Sequence, residues 1–340
     1  MKAKKLLSVF AAGALTLALV ACGGQSADKP SQGGSGDGAG AKKICLILPG
    51  TVDDQGWNAT NAAGAKACDS ELGTKIDIVE NVPPEEYEQT FVEYGEKGYD
   101  LIMAAGSQFD EPCTAVAENY PESKFCVING TQSKYDNQCP VFPKEYEGSY
   151  LAGIIAGYAS EDGQFAVLGG ESNDPMMKLM GTYGGKAVEV AKERGIDNCA
   201  FKDTIMNTWT DVSKAKDLTS SMIDDGCDTV FCYSNEATSG SIQACADKGA
   251  KFVGFSSNKN AESDCVVGSV VMDWPHVYPT IVKNVMDGTY KGMVEIGVKE
   301  GVFKVEATDQ MSDECNKALD ESIAEINEGK VDFTKYFTLN

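Results

Sequence analysis

The stretch "KICLILPGTVDDQGWNATNAAGAKA" (residues 43–67) contains the unit from which the fold is predicted. It begins with an apolar run of strand length, continues through a polar turn, and ends in a segment of small residues with a helical pattern. The apolar run does not alternate with polar residues, which is typical of a parallel strand covered on both faces. The stretch therefore predicts a strand, a turn and a helix, in that order.

The same unit recurs along the chain in two series. In the first we predict strands at 43–50, 75–82, 99–106 and 124–130 and helices near 57–72, 84–97 and 109–119. After a helix at 145–160, the second has strands at 164–170, 199–205, 228–234 and 251–257 and helices near 176–194, 210–225 and 236–248. Such alternation predicts parallel sheets with helices on both faces, and about 300 residues exceed what one core usually serves. We therefore expect an α/β fold of two doubly wound lobes.

Polar residues follow these strands at the sheet edge where open parallel sheets bind their ligands. Trp57 follows the first strand, and Trp209 lies at the place that we interpret as equivalent in the second series. A flat ligand held between two indole rings would gain about 1–3 kcal/mol from each stacked face. Asp54 and Asn58 would then read the edge of the ring, because an amide offers both a donor and an acceptor. The alternative is structural: each tryptophan packs in the core, and helices are capped by Asp53, Asp174 and Asp211.

The amino terminus predicts export and lipid anchoring. Residues 1–21 have the basic start, apolar run and small residues of a signal peptide. The segment "LVAC" (19–22) resembles the lipobox of bacterial lipoproteins, which implies that Cys22 is lipidated. Residues 22–42, poor in apolar side chains, predict a flexible tether. We therefore expect a protein anchored at the extracytoplasmic face of the cell membrane, the alternative being an ordinary signal peptide that ends near a cysteine.

Charge and cysteine usage exclude several classes of function. A formal net charge of −22 provides no basic surface for nucleic acid or anionic lipid. The 12 cysteines include no C-x-x-C pair, and the sequence has one histidine, so we expect neither a metal nor a cofactor. Cys45, Cys126 and Cys232 lie in apolar strands, where cysteine acts as a small hydrophobic residue. Disulfides stay open for the cysteines near turns, namely Cys113, Cys139, Cys199, Cys227, Cys265 and Cys315.

No motif in the sequence supports an enzyme. We find no G-x-S-x-G, P-loop or G-x-G-x-x-G sequence. Most acid–base schemes would depend on His276, which lies in "DWPHVYP" and is interpreted as structural. The adjacent carboxylates of Asp53 and Asp54 are common on turns of an acidic protein. We therefore expect a binding protein and not an enzyme.

Five segments carry a family resemblance by their order and spacing: "DDQGWN" (53–58), "EGSYLAGIIAGY" (147–158), "GQFAVLGGESNDP" (163–175), "NTWTDVSKAKDLTSSMIDDGCDTVF" (207–231) and "SIQACADKGAKFVGFSSN" (241–258). They resemble the basic membrane protein family of lipoproteins that serve ABC importers, including its purine nucleoside receptor branch. The resemblance implies a type I periplasmic-binding-protein fold with a hinge of three interlobe crossings. The N-terminal lobe would comprise 43–145 and about 270–300, and the C-terminal lobe 146–269 and about 301–340.

The resemblance also implies the residues of the ligand site. Trp57 and Trp209 would hold the base, and its polar edge would lie near Asp54, Asn58 and Asp110. Ser239, Gly240 and Asn258 would approach the sugar, and Phe109 and Ser256 are the other implied contacts. The family commonly has acidic residues where this chain has Ser256 and Asn258, and a lysine near Met272 or Asp273. Both would help to bind ribose, so a nucleoside, a free nucleobase and another flat polar heterocycle all stay open as ligands.

The function implied is that of an extracytoplasmic solute-binding lipoprotein. It would bind a purine nucleoside or nucleobase between its lobes, as a monomer and without a cofactor, and deliver it to an ABC permease. Two alternatives stay open. One is a sugar-binding receptor of the same fold, and the other is a ligand-sensing surface lipoprotein that transports nothing.

Overall fold

The computed structural model describes residues 42–54 and 56–339. The predicted signal peptide, Cys22 and the tether as far as residue 41 lie outside these residues. Lys42 at the end of the predicted tether already contacts the folded domain, because its Nζ lies 2.8 Å from a carboxylate oxygen of Asp100. None of the helices in 42–54 and 56–339 combines the length and the apolar content that crossing a membrane requires.

The described chain alternates strands and helices as the sequence predicts. The strands are β1 Lys43–Ile47, β2 Lys75–Val79, β3 Leu101–Ala105, β4 Lys124–Ile128, β5 Val141–Pro143, β6 Gln164–Gly169, β7 Ala200–Ile205, β8 Thr229–Tyr233, β9 Lys251–Ser256, β10 Val266–Met272, β11 Val294–Ile296 and β12 Phe303–Ala307. The helices are α1 Trp57–Leu72, α2 Tyr87–Glu96, α3 Asp110–Ala117, α4 Glu145–Ala159, α5 Asp174–Glu193, α6 Val212–Asp224, α7 Thr238–Lys248, α8 Trp274–Met286 and α9 Asp313–Asn327. Short 3₁₀ turns cover Pro84–Glu86, Ser107–Phe109 and Phe333–Tyr336.

The strands form two six-stranded sheets, in the orders β11-β5-β4-β3-β1-β2 and β12-β10-β9-β8-β6-β7. Every strand pair is parallel except β10 with β12. We call the first sheet with α1, α2, α3 and α8 the first lobe, and the second sheet with the remaining helices the second lobe. In each lobe the strand that comes first in the sequence lies between its next two strands, so both sheets have a switch point where ligands bind in such folds.

The chain passes between the two sheets three times: from β5 to α4, from β10 to α8, and from β11 to β12. Hydrogen bonds tie these crossings together. The backbone N–H of Lys144 donates to the carbonyl of Ile296 at 2.8 Å. The buried Glu147 carboxylate accepts the N–H of Val298 at 2.8 Å, and Asp273 N–H donates to Val302 at 2.7 Å. The three crossings therefore form one hydrogen-bonded bundle beside the ends of the strands.

Helix α4 follows the first crossing and packs closely on α5. Its sequence is rich in glycine and alanine, which lets the two helix backbones approach. A Cβ atom at Gly153 would lie 2.7 Å from the backbone oxygen of Tyr183, so a side chain there has no room. The small residues of "EGSYLAGIIAGY" thus let α4, which follows the first crossing, pack directly on α5 of the second lobe.

All eleven cysteines in the described residues are free. The six cysteines near turns, for which disulfides stayed open, therefore form none with one another. Burial raises the pKa of the Cys45 thiol above its ordinary range, and it does the same for Cys126. Cys232 in β8 is buried and its pKa rises to about 11 for the same reason. These three strand cysteines thus act as small hydrophobic residues, in agreement with the prediction.

Candidate functional site

A cavity of about 640 Å³ lies between the two lobes at the carboxyl ends of their strands. The first lobe lines it with Pro49, Gly50, Thr51, Asp54, Trp57 and Asn58 after β1, Gly106, Ser107 and Gln108 after β3, and Asn129 after β4. The second lobe lines it with Glu171, Ser172, Asn173 and Met176 after β6, Trp209 and Thr210 after β7, and Tyr233, Asn235 and Glu236 at the end of β8. Glu145 at the start of α4 completes the lining.

Trp57 enters this cavity from the first lobe. It is the first residue of α1, and its indole Nε1 donates to the backbone oxygen of Ala105 at 3.1 Å. Its ring also stands edge-on to the buried Trp274, with centroids 5.8 Å apart and planes at 89°. A hydrogen bond and an aromatic contact therefore fix the ring of Trp57 while the side chain stays half-buried at the cavity.

Trp209 lines the same cavity from the second lobe. A Cβ atom at Gly170 would lie 2.5 Å from Cε3 of the indole, so the absence of a side chain at Gly170 makes room for the ring. The ring also contacts Tyr233 at an angle of 81°, with centroids 6.4 Å apart. Trp209 follows β7, whereas the counterpart of β1 in the second sheet is β6. The two tryptophans are thus not at equivalent positions of their lobes, but both lobes bring one to the cavity.

Asp54 is a buried carboxylate that serves the start of α1. It accepts the backbone N–H groups of Gly56 at 3.0 Å, Asn58 at 2.9 Å and Ala59 at 2.8 Å. It also accepts the side-chain nitrogen of Asn58 at 2.8 Å. The remaining oxygen of that amide, Asn58 Oδ1, is buried and has no protein partner in the described residues. Of this predicted pair, Asn58 lines the cavity with its side-chain nitrogen held by Asp54 and its Oδ1 unpaired within the described residues.

Phe109 and Asp110, which the resemblance placed at the ligand, lie outside the cavity lining. Phe109 is fully buried, and its ring packs on Tyr87 with centroids 4.2 Å apart. The Asp110 carboxylate accepts the N–H of Thr131 at 2.8 Å, and burial raises its pKa. The cause is the 3₁₀ turn Ser107–Phe109, which gives the first two of its residues to the cavity and turns the third into the core.

The residues expected on the sugar side also lie outside the lining. The Ser239 hydroxyl donates to the backbone oxygen of Glu236 at 2.8 Å. Gly240 packs on α6, because a Cβ atom there would lie 2.0 Å from the backbone oxygen of Val212. Ser256 is buried and Asn258 is exposed, with its Oδ1 accepting from the backbone of the same turn. Ser239 and Gly240 lie within α7, beyond the turn that follows β8, whereas Ser256 is the last residue of β9 and Asn258 lies in the turn after it.

The cavity contains several residues that were not predicted as ligand contacts. Gln108, Asn129 and Glu236 lie at or just after the ends of predicted strands, but they were not predicted as ligand contacts. The buried oxygens Asn129 Oδ1 and Glu236 Oε2 have no protein partner in the described residues. Glu145 gives a weaker signal in the sequence, as an acidic residue at the start of the very apolar helix α4.

Glu145 is a buried carboxyl group in the lining of the cavity. It is 5 % exposed, and its Oε1 accepts the hydroxyl of Tyr233 at 3.0 Å. Burial raises its pKa from 4.5 to about 7, and the tyrosine hydrogen bond offsets only part of that effect. A group with such a pKa changes its charge near neutral pH, and Glu145 does so within the lining of the cavity.

The comparisons with known proteins agree with this architecture. A family model described as "ABC transporter substrate-binding protein PnrA-like" matches residues 41–332. A purine-binding protein of Brucella abortus is 26% identical over 304 residues, covering 88% of this chain and 85% of that protein. The ABC transporter nucleoside-binding protein BmpA of Lactococcus lactis is 22% identical over 348 residues, covering 95% of this chain and 97% of that protein.

The solved structures show the same fold. An ABC transporter solute-binding protein from Aeropyrum pernix matches with a TM-score of 0.74 and 20% identity, covering 86% of this chain and 92% of that one. This likeness confirms the predicted periplasmic-binding-protein fold with two doubly wound parallel-sheet lobes. The family that matches consists of substrate-binding receptors and is not a class of enzymes. The chain belongs to the Bmp family of PnrA-like ABC transporter substrate-binding proteins.

Proposed function

We propose that this protein binds a purine nucleoside or related nucleobase between its lobes and delivers it to the permease of an ABC importer. The observation that carries the proposal is that Trp57 and Trp209 line one cavity from opposite lobes. Stacking a base on an aromatic side chain is worth about 1–3 kcal/mol, and two rings from two lobes allow two such contacts. A ligand held in this way favours the closed arrangement, because it contacts both lobes only when they are together.

The polar lining supports a heterocycle with groups along its edge. Asn58 and Asn129 line the first lobe's side of the cavity, and Gln108 lies between them in the sequence. Amide side chains match the mixed donors and acceptors of a purine edge. The names of two relatives, a purine-binding protein and a nucleoside-binding protein, support the same ligand class for this chain.

The amino terminus supports a place outside the cytoplasm. We infer that residues 1–21 are a lipoprotein signal peptide, that Cys22 carries the lipid and that residues 22–42 form the tether. The anchor would keep a monomeric receptor near its permease at the extracytoplasmic face of the membrane. The proposed lobes are residues 43–145 with about 270–300, and 146–269 with about 301–340.

The test is a ligand screen on residues 23–340, which omit the proposed lipid anchor. Thermal shift followed by calorimetry would compare adenosine, guanosine, inosine, their free bases, glucose, galactose and ribose. A ligand at 100 times its dissociation constant adds about 2.7 kcal/mol to the free energy of unfolding. We expect stabilisation by at least one purine compound and by none of the sugars. Binding of a sugar alone would contradict the proposal and favour the sugar-receptor alternative.

Delivery needs a separate test, because a sensing lipoprotein would bind the same ligand. The native host would be tested for uptake of the radiolabelled ligand from the screen. We expect uptake to be lost when this chain alone is deleted and to return when it is supplied again. Uptake that does not depend on the chain would favour the sensing role.

A further inference from the structure

Glu145 lies where the crossings between the lobes meet the cavity. It is the first residue of α4 and follows Lys144, whose backbone N–H donates to the carbonyl of Ile296 in β11 at 2.8 Å. Its side chain is 5 % exposed and belongs to the lining of the cavity. Two residues later in the same turn, Glu147 accepts the backbone N–H of Val298 in the third crossing. The charge of Glu145 therefore lies beside both the cavity and the segments that join the lobes.

Among the described residues that line the cavity, none carries a positive charge to compensate Glu145. Tyr233 of β8 donates its hydroxyl to the Glu145 carboxylate at 3.0 Å. The adjacent Lys144 is paired with Glu147, with its Nζ 2.5 Å from a carboxylate oxygen. The partner of Glu145 is thus a neutral hydroxyl, and the nearest lysine in the sequence is bound to a different carboxylate.

The other acidic side chains of the lining come from the turn before α1, the segment after β6 and the segment after β8: Asp54, Glu171 and Glu236. Four hydrogen bonds from N–H groups already compensate Asp54, and Glu171 is exposed. The start of α5, the helix that packs on α4, adds the neutral Asn173 and Met176 to the lining. Each of these elements leaves a negative charge on Glu145 without positive compensation.

Burial at this position favours the neutral carboxyl group. It raises the pKa of Glu145 from 4.5 to about 7, and the hydrogen bond from Tyr233 offsets only part of that effect. The lobes are together in this structure, since an added Cβ atom at Gly56 would lie 3.3 Å from Cα of Asn235. Separating the lobes would bring water to Glu145, whereas a ligand in the cavity would displace water from it. Closure on a ligand therefore disfavours the charged form of Glu145 further.

We propose that the protein takes up a proton on Glu145 when its lobes close on a ligand, so that ligand affinity rises as the pH falls through the neutral range. This inference rests on the proposed function and adds a regulation of the same site. The proton comes from the solvent, and no bond of the ligand changes. By linkage, the state that binds the proton more tightly gains stability at low pH, and that state is the closed, liganded one. The receptor would hold its ligand most tightly in acidic surroundings and release it more readily as the pH rises.

Calorimetry on residues 23–340 measures the proton directly. Adenosine, guanosine and their free bases, whose own protonation stays nearly constant from pH 6 to 8, would be titrated in buffers of different ionisation enthalpy. We expect uptake of about half a proton per ligand near pH 7, and an affinity that falls about 5-fold to 10-fold from pH 6 to 8. Binding without proton uptake and without pH dependence would overturn the inference and leave the proposed function intact. Binding of none of these compounds would overturn the proposed function, and the inference with it.

Two variants assign the proton to Glu145. Glu145→Gln keeps the size of the side chain and is neutral at every pH, so it should bind without proton uptake and about 5-fold more tightly than wild type at pH 8. A purely structural role for Glu145 would instead weaken binding at every pH. Tyr233→Phe removes the hydroxyl that stabilises the carboxylate, so the fall in affinity should move to higher pH.

Glu118→Gln is the matched control. Glu118 also accepts a tyrosine hydroxyl, that of Tyr135 at 2.9 Å, but it is exposed and lies outside the cavity lining. This variant should keep the proton uptake and the pH profile of wild type. Thermal melting confirms that each variant folds. A folded Glu145→Gln protein that still takes up the wild-type fraction of a proton would overturn the role of Glu145, and so would an unchanged pH profile in Tyr233→Phe.

Discussion

The side-chain nitrogen of Asn58 lies 2.8 Å from the carboxylate of Asp54, which is four residues earlier and accepts its hydrogen bond. The same carboxylate collects the N–H groups of the first turn of α1, so one buried charge both caps the helix and orients the amide. Because an amide nitrogen and not its oxygen faces the carboxylate, Asn58 Oδ1 is left without a protein partner in the described residues, beside the cavity that Asn58 lines. Asp54 is therefore a positioning residue, and Asn58 is the candidate ligand contact.

Replacing Asp54 by alanine should lower both stability and affinity. Loss of a cap typically costs about 0.5–2 kcal/mol, which would appear as a smaller free energy of unfolding in urea. The freed Asn58 amide can then rotate, and we expect the purine affinity measured by calorimetry to fall about 10-fold. Ser312→Ala is the control, because Ser312 caps α9 through Cys315 N–H at 3.2 Å, outside the cavity. The Ser312→Ala variant should lose stability and keep its purine affinity. Unchanged affinity in Asp54→Ala would contradict the positioning role.

The second prediction concerns the contribution of the two tryptophans to purine binding. Trp209→Ala and Trp57→Ala should each weaken purine binding by about 1–3 kcal/mol, the usual worth of one stacked base. Trp57→Ala should also lower the melting temperature, because it removes the hydrogen bond to Ala105 and the contact with Trp274. Phe109→Leu serves as the control. Its aromatic ring lies in the core, so the variant should melt earlier and keep its affinity. Full affinity in both tryptophan variants would exclude the stacking model.

Most of the fold within residues 43–257 could be predicted because apolar strands and helical stretches alternate there, the exception being the short β5, which follows β4 without a helix and was not predicted. Beyond residue 257 strands and helices no longer alternate in this way. Strands β9 and β10 are parallel neighbours, yet the segment 257–265 joins them without a helix. Strand β12 then pairs antiparallel to β10. The alternation therefore predicts none of these later elements, whose order depends on which sheet the chain returns to at each crossing.

The candidate site was predicted only in part, for a related reason. The position of a residue after a strand indicates the correct edge of the sheet, but the local turn decides which side chain faces the cavity. After β3, the turn Ser107–Phe109 exposes Gln108 to the cavity and buries Phe109. After β8, the cavity receives Glu236, whereas Ser239 is already within α7. Which of these neighbouring side chains faces the cavity depends on backbone dihedral angles that the residue types do not specify.

Glu145 makes stability depend on pH. Its pKa is raised by burial from 4.5 to about 7, so between these values the folded chain holds a proton that the unfolded chain has released. The stabilisation from this group is complete below about pH 4.5 and is lost as the pH rises through about 7. The Glu145→Gln variant has no carboxyl group at this position and therefore lacks this pH dependence of stability. We expect the wild-type free energy of unfolding, relative to the variant, to fall by about 1–3 kcal/mol from pH 5 to 8.

A carboxylate with the opposite shift provides the control for this pH series. Glu189 is held by Lys186 at 2.8 Å, Lys335 at 3.0 Å and the Tyr336 hydroxyl at 2.8 Å. Although burial raises its pKa, these partners outweigh that effect and lower the pKa to about 2. Its stabilisation is present above about pH 4.5 and is lost as the pH falls toward 2. Glu189→Gln should therefore lower stability at every pH from 5 to 8. If the free energies of unfolding of wild type and Glu145→Gln changed with pH in parallel, the raised pKa of Glu145 would be contradicted.

The free cysteines predict low reactivity in the native state. Residues 23–340 contain eleven cysteines, all free, and ten of them are buried. Burial raises the pKa of thiols such as Cys139 to about 11, which keeps the nucleophilic thiolate scarce. A disulfide reagent that absorbs on reaction should label at most the partly exposed Cys265 in the native protein, and all eleven in denaturant without reductant. A lower count in denaturant would reveal disulfides and contradict this structure.

Gly56 of the first lobe lies close to Asn235 of the second, and this approach predicts how closure can be blocked. A Cβ atom at Gly56 would lie 3.1 Å from Asn235 Oδ1 and 3.3 Å from its Cα, so a branched side chain has no room while the lobes are together. Gly56→Val should weaken purine binding at least about 10-fold, because the added side chain keeps the lobes apart and part of the ligand's binding free energy is then needed to bring them together. The melting temperature without ligand should change little. Adding Asn235→Gly removes the obstructing side chain and should restore part of the affinity. Full affinity in Gly56→Val alone would show that the ligand binds without bringing these two residues together.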